Sequence, residues 1–394
     1  MSNHFVSLLL ATAAPSIAAL PFEAQTIDSK IAIGYGLAIG DVDGDGKQDV
    51  LLADAKEIVW YKNPGWEKTV IAKNLTLRDN VCLATRDLNG DGKVEIAVGA
   101  QWNPGETTSE AESGAVFFLE RPEKEGGQWQ PVKLPHEPTV HRMHWVKTDA
   151  GKHALVVLPL HGRGNVNGAG ANGVKIIAYT FPEKPADPAA WTQSVIDDSL
   201  HVTHNFDVRS AGGAEELLIG GKEALLVAKP SGAGWTAQRL PQSGTGGGPR
   251  WGGAGEVRFF PRAGESADAA VAIEPFHGPN LTFFRYESTT RQWMRQVIDT
   301  SFNQGHALGA GDLLEARGSE IIAGWREPNA GKQFGIKVYS EAAGKWTGEW
   351  LGEPNTMACE DLKLADLNGD GKLDVIAAGR ATRNIVIYWN RSGK

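Results

Sequence analysis

Met357–Asp374 reads MACEDLKLADLNGDGKLD. Its second half, from Asp366 through Asn368 and Asp370 to Asp374, sets oxygen-bearing side chains at alternate positions with glycines between them. That is the spacing by which one short loop wraps a hard cation such as Ca²⁺. The phrase occurs twice more, at Asp41, Asp43, Asp45 and Asp49, and at Asp87, Asn89, Asp91 and Glu95. An EF-hand would need flanking helices and a closing bidentate glutamate; Leu52 holds that place in the first copy. The loops therefore read as turns between strands, with structural Ca²⁺ as the expected ion. The first half, Cys359-Glu360-Asp361, places acids just before an apolar strand, and every other part of the chain has a counterpart of it.

Working outward, an aromatic residue followed by an alternating strand recurs at Phe22, Trp66, Trp129, Trp191, Trp235, Trp293 and Trp346, at separations of 44 to 63 residues. Each is followed by a loop, an apolar strand, a polar turn, a β-branched run such as DVLLA or EIIAGW, and a third strand such as IVIYWN. Alternation and β-branched enrichment favour strand throughout. Periods of this length built only of strands mean propeller blades. The expected fold is all-β, a seven-bladed propeller. The lone strand Phe22–Asp28 completes the last blade and covers an edge that would otherwise be open. The recurring aromatics are expected to pack between blades.

Residues 1–19 hold an apolar run, Phe5–Ala19, that ends in small residues. It is too short to span a bilayer and reads as a signal peptide, followed by a single propeller domain over 20–394, so export to the periplasm or medium is expected. A net charge of -8 argues against nucleic acid, and 2 Cys make neither a disulfide framework nor a zinc pattern. Cys82 and Cys359 are expected as free thiols. No Gly-x-Ser-x-Gly elbow and no P-loop is present.

In a propeller, the loops leading into the inner strands share one face with the loops joining second and third strands. The cation loops lie on the other. On the first face fall His141, His144, His161, His201, His204, His277 and His306, seven of the chain's 10 His. Trp102, Arg163, Glu256, Arg326, Glu360, Asp361 and Arg380 join them. Rigid scaffolds position functional loops in this way. Imidazole with carboxylate suits a transition-metal site or proton transfer near neutral pH.

The phrases HVTHNFDV (201–208), GGAGEVR (252–258), IEPFHG (273–278), QGHALGAGDL (304–313) and MACEDLKLADLNGDG (357–371) resemble the propeller domain of aldos-2-ulose dehydratase. The cation loops resemble FG-GAP/VCBS repeats. A second resemblance is to seven-bladed ulvan and related polysaccharide lyases. Both lyase resemblances imply β-elimination on a sugar, such as dehydration of 1,5-anhydrofructose. In the dehydratase family the propeller is joined to cupin domains; here no cupin step is expected after the last blade.

β-Elimination needs a base, an electrophile for the developing enolate, and an acid for the leaving oxygen. On this expectation a divalent metal (Zn, Mg, Mn or Ca) sits on His204, Glu256, His306 and Glu360. His141, His144, His201 and His277 carry protons. His161, Arg163, Trp102, Arg326, Arg380 and Asp361 hold a carbohydrate substrate. A uronate polysaccharide lyase and a noncatalytic carbohydrate-binding or adhesion propeller are the alternatives. No nucleic-acid partner and no membrane span are expected.

Overall fold

The computed structural model describes residues 20–393, except 125, 150, 233, 241–251, 262–268 and 315–317. The expected signal peptide lies outside the described residues. Among them, the strands form seven four-stranded antiparallel sheets. Among the described residues the one helical element is a single 3-10 turn, Pro188–Ala190, and no helix is long and apolar enough to cross a membrane.

Each sheet is a blade. Its inner strand pairs with the second strand, the second with the third, and the third with an outer strand. The inner strands, Gly36–Gly40, Cys82–Arg86, Val140–Lys147, Thr203–Ala211, Val257–Phe259, Gly305–Gly311 and Cys359–Ala365, neighbour one another in a closed ring. Second strands such as Asp49–Ala53 and Glu320–Trp325 are buried at every position. Packing between two blades covers both of their faces, which is why these runs are continuously apolar rather than alternating.

The last blade closes as expected. Phe22–Asp28 pairs antiparallel with Asn384–Asn390, with Phe22 opposite Asn390 and Thr26 opposite Val386. The cores lie between blades. Trp145, Phe118 and Trp191 meet in one of them, and Trp66 and Trp389 approach at 6.2 Å between ring centroids in another. Trp66, Trp191 and Trp293 are buried.

The first cation loop spans the turn between Gly36–Gly40 and Asp49–Ala53, where Gly40 faces Asp49. The opposite ends of those strands, at Gly36 and Ala53, mark the other face of the disc.

The inner strands of the third, fourth, sixth and seventh blades begin three to five residues before Trp145, Phe206, Leu308 and Leu362, the apolar positions that signal them in sequence. In all four, the added segment carries a register shift. The extra residue is His141 between Val140 and Arg142, His204 with Asn205 between Thr203 and Phe206, His306 between Gly305 and Ala307, and Glu360 between Cys359 and Asp361. A bulge interrupts the period of two and re-aims a side chain.

Candidate active site

The four bulges surround an axial cavity of about 490 Å³. His141, His204, His306 and Glu360 all line it, so each bulge delivers its extra residue to the same space. A carbonyl oxygen can only accept, so the contact of His141 Nδ1 with His204 O at 2.7 Å makes that nitrogen the N–H donor. His306 Nδ1 donates in the same way to Glu360 O at 2.7 Å. These two bulged imidazoles are thus tied to the bulged backbone of the next blade, and each Nε2 is left with the lone pair while the ring is neutral.

His277 comes from the loop between Ala269–Glu274 and Asn280–Glu287. Its carbonyl accepts from the backbone N–H of Gly305 at 2.7 Å, which seats it beside His306. The two rings stack at 5.0 Å, and His277 Nε2 lies 2.8 Å from His204 Nε2. Ligand nitrogens of His204, His277 and His306 all lie within 4.8 Å of one another.

Glu256 stands behind His204, its Oε1 3.3 Å from Nδ1. Neither atom has an aligned hydrogen bond, so the contact is electrostatic. Asn205 Nδ2 donates to Glu256 Oε2 at 2.6 Å, and Arg258 is 3.5 Å away. Glu256 reaches this place because Gly255 lies against the backbone of Phe276; a Cβ there would be 2.2 Å from Phe276 O.

Burial dominates the electrostatics. It lowers the pKa of His141 and His306 well below the ordinary value, helped by Arg142 for His141 and by Arg326 for His306. Burial, then His204, brings His277 down to about 3. Burial also lowers His204, with Glu256 opposing it. For Glu256, burial pushes upward, but the contacts with His204 and Arg258 hold the carboxyl at about 2. At neutral pH the cluster is three uncharged imidazoles backed by an ionised carboxylate. Neutral imidazole is the ligating form, and a carboxylate behind one of them is a common orienting arrangement in metal sites. Three histidines facing an open cavity suit Zn²⁺ with one coordination position left free. The residues fit a divalent ion.

The expected ligand set changes accordingly. His277, expected as a proton carrier, joins His204 and His306. Glu256 is an orienting residue outside the cluster. Glu360 is clamped by Arg326 Nη1 at 2.6 Å and Arg380 Nη1 at 3.1 Å, which spends its charge on the arginines.

Trp102, His161, Arg326 and Arg380 line the cavity as expected. Trp102 stacks on His141 with 4.9 Å between centroids. His161 has a buried Nδ1 with no hydrogen-bond partner among the described residues, and burial lowers its pKa. Four expected residues are elsewhere. Arg163 pairs with Glu137 and Glu110. Asp361 accepts from the backbone of Leu37 and from Lys363. His201 is held by Glu223 at 3.0 Å. His144 packs edge-on against Phe206 outside the cavity lining, and burial, then Lys363, brings it to about 3.

Arg142, Lys222 and Tyr35, to which sequence reasoning gives no role, also line the cavity. Strand alternation would send His141 and Arg142 to opposite faces. The bulge brings both to the cavity, and only the cluster VHRMHW hints at it. Tyr35 is buried under the Arg380 guanidinium, 5.5 Å from its ring centroid, and burial raises its pKa. Cys82 and Cys359 are free and buried; burial pushes the Cys82 thiol up to about 12, so neither is a nucleophile.

On the far face, Asp41, Asp43 and Asp49 bring carboxylate oxygens within 4.8 Å of one another. Asp43 also meets Lys62 Nζ, and Asp49 accepts from the backbone of Val42 and Asn63. In the other two loops, Asp87 and Asp366 accept glycine N–H groups, Asn89 and Asn368 accept from Asp91 N and Asp370 N, and Glu95 and Asp374 accept from Leu88 N and Leu367 N. Asp45 and its counterparts Asp91 and Asp370 each cap the following lysine N–H.

The fold is a seven-bladed β-propeller with a histidine-lined axial cavity, and its first blades carry FG-GAP-like repeats. Residues 41–98 match the FG-GAP-like repeat and residues 83–119 the FG-GAP repeat. It resembles a sugar-enzyme domain as well: residues 113–287 match the aldos-2-ulose dehydratase β-propeller domain. That match takes in His141, His161, His204, Glu256 and His277, and stops before the blades that carry His306 and Glu360. No curated protein matches the chain. Among solved structures, a chain of "Crystal Structure of Mitotic Checkpoint Complex" aligns at 12% identity and TM-score 0.58 over 99% of this chain and 100% of that one. "Crystal structure of BBS1N in complex with ARL6DN, soaked with mercury" aligns at 13% and 0.54 over 96% and 100%. These likenesses are of fold alone.

Proposed function

We propose that the protein is a carbon–oxygen lyase that performs β-elimination on an oxidised sugar. The observation that carries this reading is the convergence of three neutral imidazoles, His204, His277 and His306, in one axial cavity. The match to a sugar-dehydratase propeller supports it. A divalent ion held by these three histidines would polarise the substrate carbonyl and ease loss of the adjacent proton.

The chain's own residues divide the remaining work. His161 takes the proton from the carbon next to the carbonyl, since it is the cavity imidazole outside the three-histidine cluster whose ring is tied to no other described residue. The electron pair forms the carbon–carbon double bond, and the carbon–oxygen bond one carbon further on breaks. Tyr35, kept protonated by burial, returns a proton to the leaving oxygen. His141 does not carry protons in this scheme. Its Nδ1 is tied to His204 O and its Nε2 accepts from Arg142 Nη1 at 3.1 Å, so it orients Trp102 and Arg142. Trp102 offers the ring against which a sugar face packs.

The same proposal includes structural Ca²⁺ at the Asp41 loop and its two counterparts, and export to the periplasm or medium. The test is metal analysis of purified protein together with absorbance at the enone band during incubation with keto-sugars such as 1,5-anhydrofructose. Metal bound at the axis and a rising enone band are expected. Glycan binding without turnover would instead leave a carbohydrate-binding propeller.

A further inference from the structure

The chain carries a formal charge of -8, yet its axial cavity is cationic. Arg142, Lys222, Arg326 and Arg380 line it, against one carboxylate among the described lining residues, Glu360. Glu360 is already shared between Arg326 and Arg380. Arg142 is different. Its guanidinium donates through Nη1 to His141 O at 2.9 Å and to His141 Nε2 at 3.1 Å, and it forms no ion pair among the described residues. A guanidinium is charged at every physiological pH and offers five donors in a rigid fork. The acid Glu256 acts on it only at a distance, and a half-buried guanidinium beside neutral imidazoles with no direct ion pair favours a ligand that supplies the charge.

We propose that Arg142 recognises an anionic group on the substrate, so that the cavity prefers a sugar bearing a carboxylate or a phosphate to its uncharged counterpart. This rests on the reading of the cavity as a sugar site and narrows it. Two features set the geometry. The bulge at His141 turns Arg142 to the cavity, and the bond to His141 O fixes one edge of the fork. The remaining N–H groups are left for an oxyanion. Lys222 donates to Gly168 O at 2.7 Å on the same cavity wall.

The test is calorimetric binding to chelator-treated protein, so that no metal contributes. The probes are D-glucuronate, its methyl ester, D-glucose and D-glucose 6-phosphate. Glucuronate or glucose 6-phosphate should bind at least about tenfold more tightly than the ester and glucose, the scale of a charge-assisted hydrogen-bonded contact. Arg142→Gln should remove that preference, and Arg142→Lys should restore part of it for the phosphate. The comparison of probes on the unaltered protein stands even if the variants fail to fold. Equal binding of all four probes, or a preference that survives in Arg142→Gln, overturns the proposal. Turnover of a neutral keto-sugar by a protein with no preference for charged probes overturns it while leaving the lyase reading intact. Tight binding of the acid sugars without any elimination does the reverse.

Discussion

His306 donates its Nδ1–H to the backbone carbonyl of Glu360, 2.7 Å away in the neighbouring blade. Both are the extra residues of β-bulges, and His141 makes the same bond to His204. The four bulges are therefore tied in two neighbouring pairs. Two ring nitrogens are fixed as donors by the scaffold, so their Nε2 atoms carry the lone pairs.

The three-imidazole cluster predicts a specific metal loss. His204→Ala and His306→Ala should each abolish the axial metal while the protein stays folded. Glu256→Gln should keep it but weaken affinity by about 10–100-fold, as expected for a residue that orients a ligand. Metal content after dialysis against graded chelator measures both.

Acid should destabilise the protein in a defined window. His141, His204, His277 and His306 have pKa values lowered in the fold, chiefly by burial. The unfolded chain takes up protons near the ordinary value of 6.5; the folded one does not. Their stabilising effect is full above that pH and is lost as pH falls from it toward about 3, the value for His277. Melting temperature in metal-free buffer should fall steadily across this range, and the fall should be shallower in His277→Gln.

Position in the cavity separates the proton carriers. His161→Asn should lower kcat by about 10²-fold or more, the usual scale of general acid–base catalysis. His201→Ala, which only breaks a contact to Glu223 outside the cavity, should stay within about threefold of the parent on the scale of that same comparison. Equal losses would sink the assignment of His161.

The far-face loops make a separate prediction about stability. Chelation should lower the melting temperature, because ions that bind only the folded chain stabilise it by mass action. Asp41→Ala should remove most of that response if the Asp41, Asp43 and Asp49 cluster is the tightest of the three sites.

Closure of the ring can be tested by deletion. Removing residues 20–28 takes away the outer strand that pairs with Asn384–Asn390 and leaves that edge open. The shortened protein should melt at lower temperature and associate through the exposed edge, and a synthetic peptide of residues 20–28 should reverse both effects.

The architecture was legible because blade formation rests on local periodicity. A strand with both faces covered is apolar beyond its polar first residue, as in Val50–Ala53, and the polar turn after an inner strand must be compatible with its glycines, as in Asp41–Asp49. The same periodicity placed Phe22–Asp28 in the last blade, since a lone strand needs a partner. Histidine enrichment on one face was visible for a similar reason: loop positions follow from strand order.

Which of those side chains meet was decided only in three dimensions. A bulge is a register shift between two strands, and alternation within one strand does not reveal it. Hence Arg142 shares the cavity with His141, although adjacent strand residues ordinarily diverge. Ion pairing is likewise a property of the assembled ring. Glu360 looks like a ligand until Arg326 and Arg380 close on it from two blades, whereas His277 joins His204 and His306 because the backbone of Gly305 holds its loop against the axis. Composition and period determined the propeller; the contacts between blades, where charge is neutralised and lone pairs are aimed, determined its site.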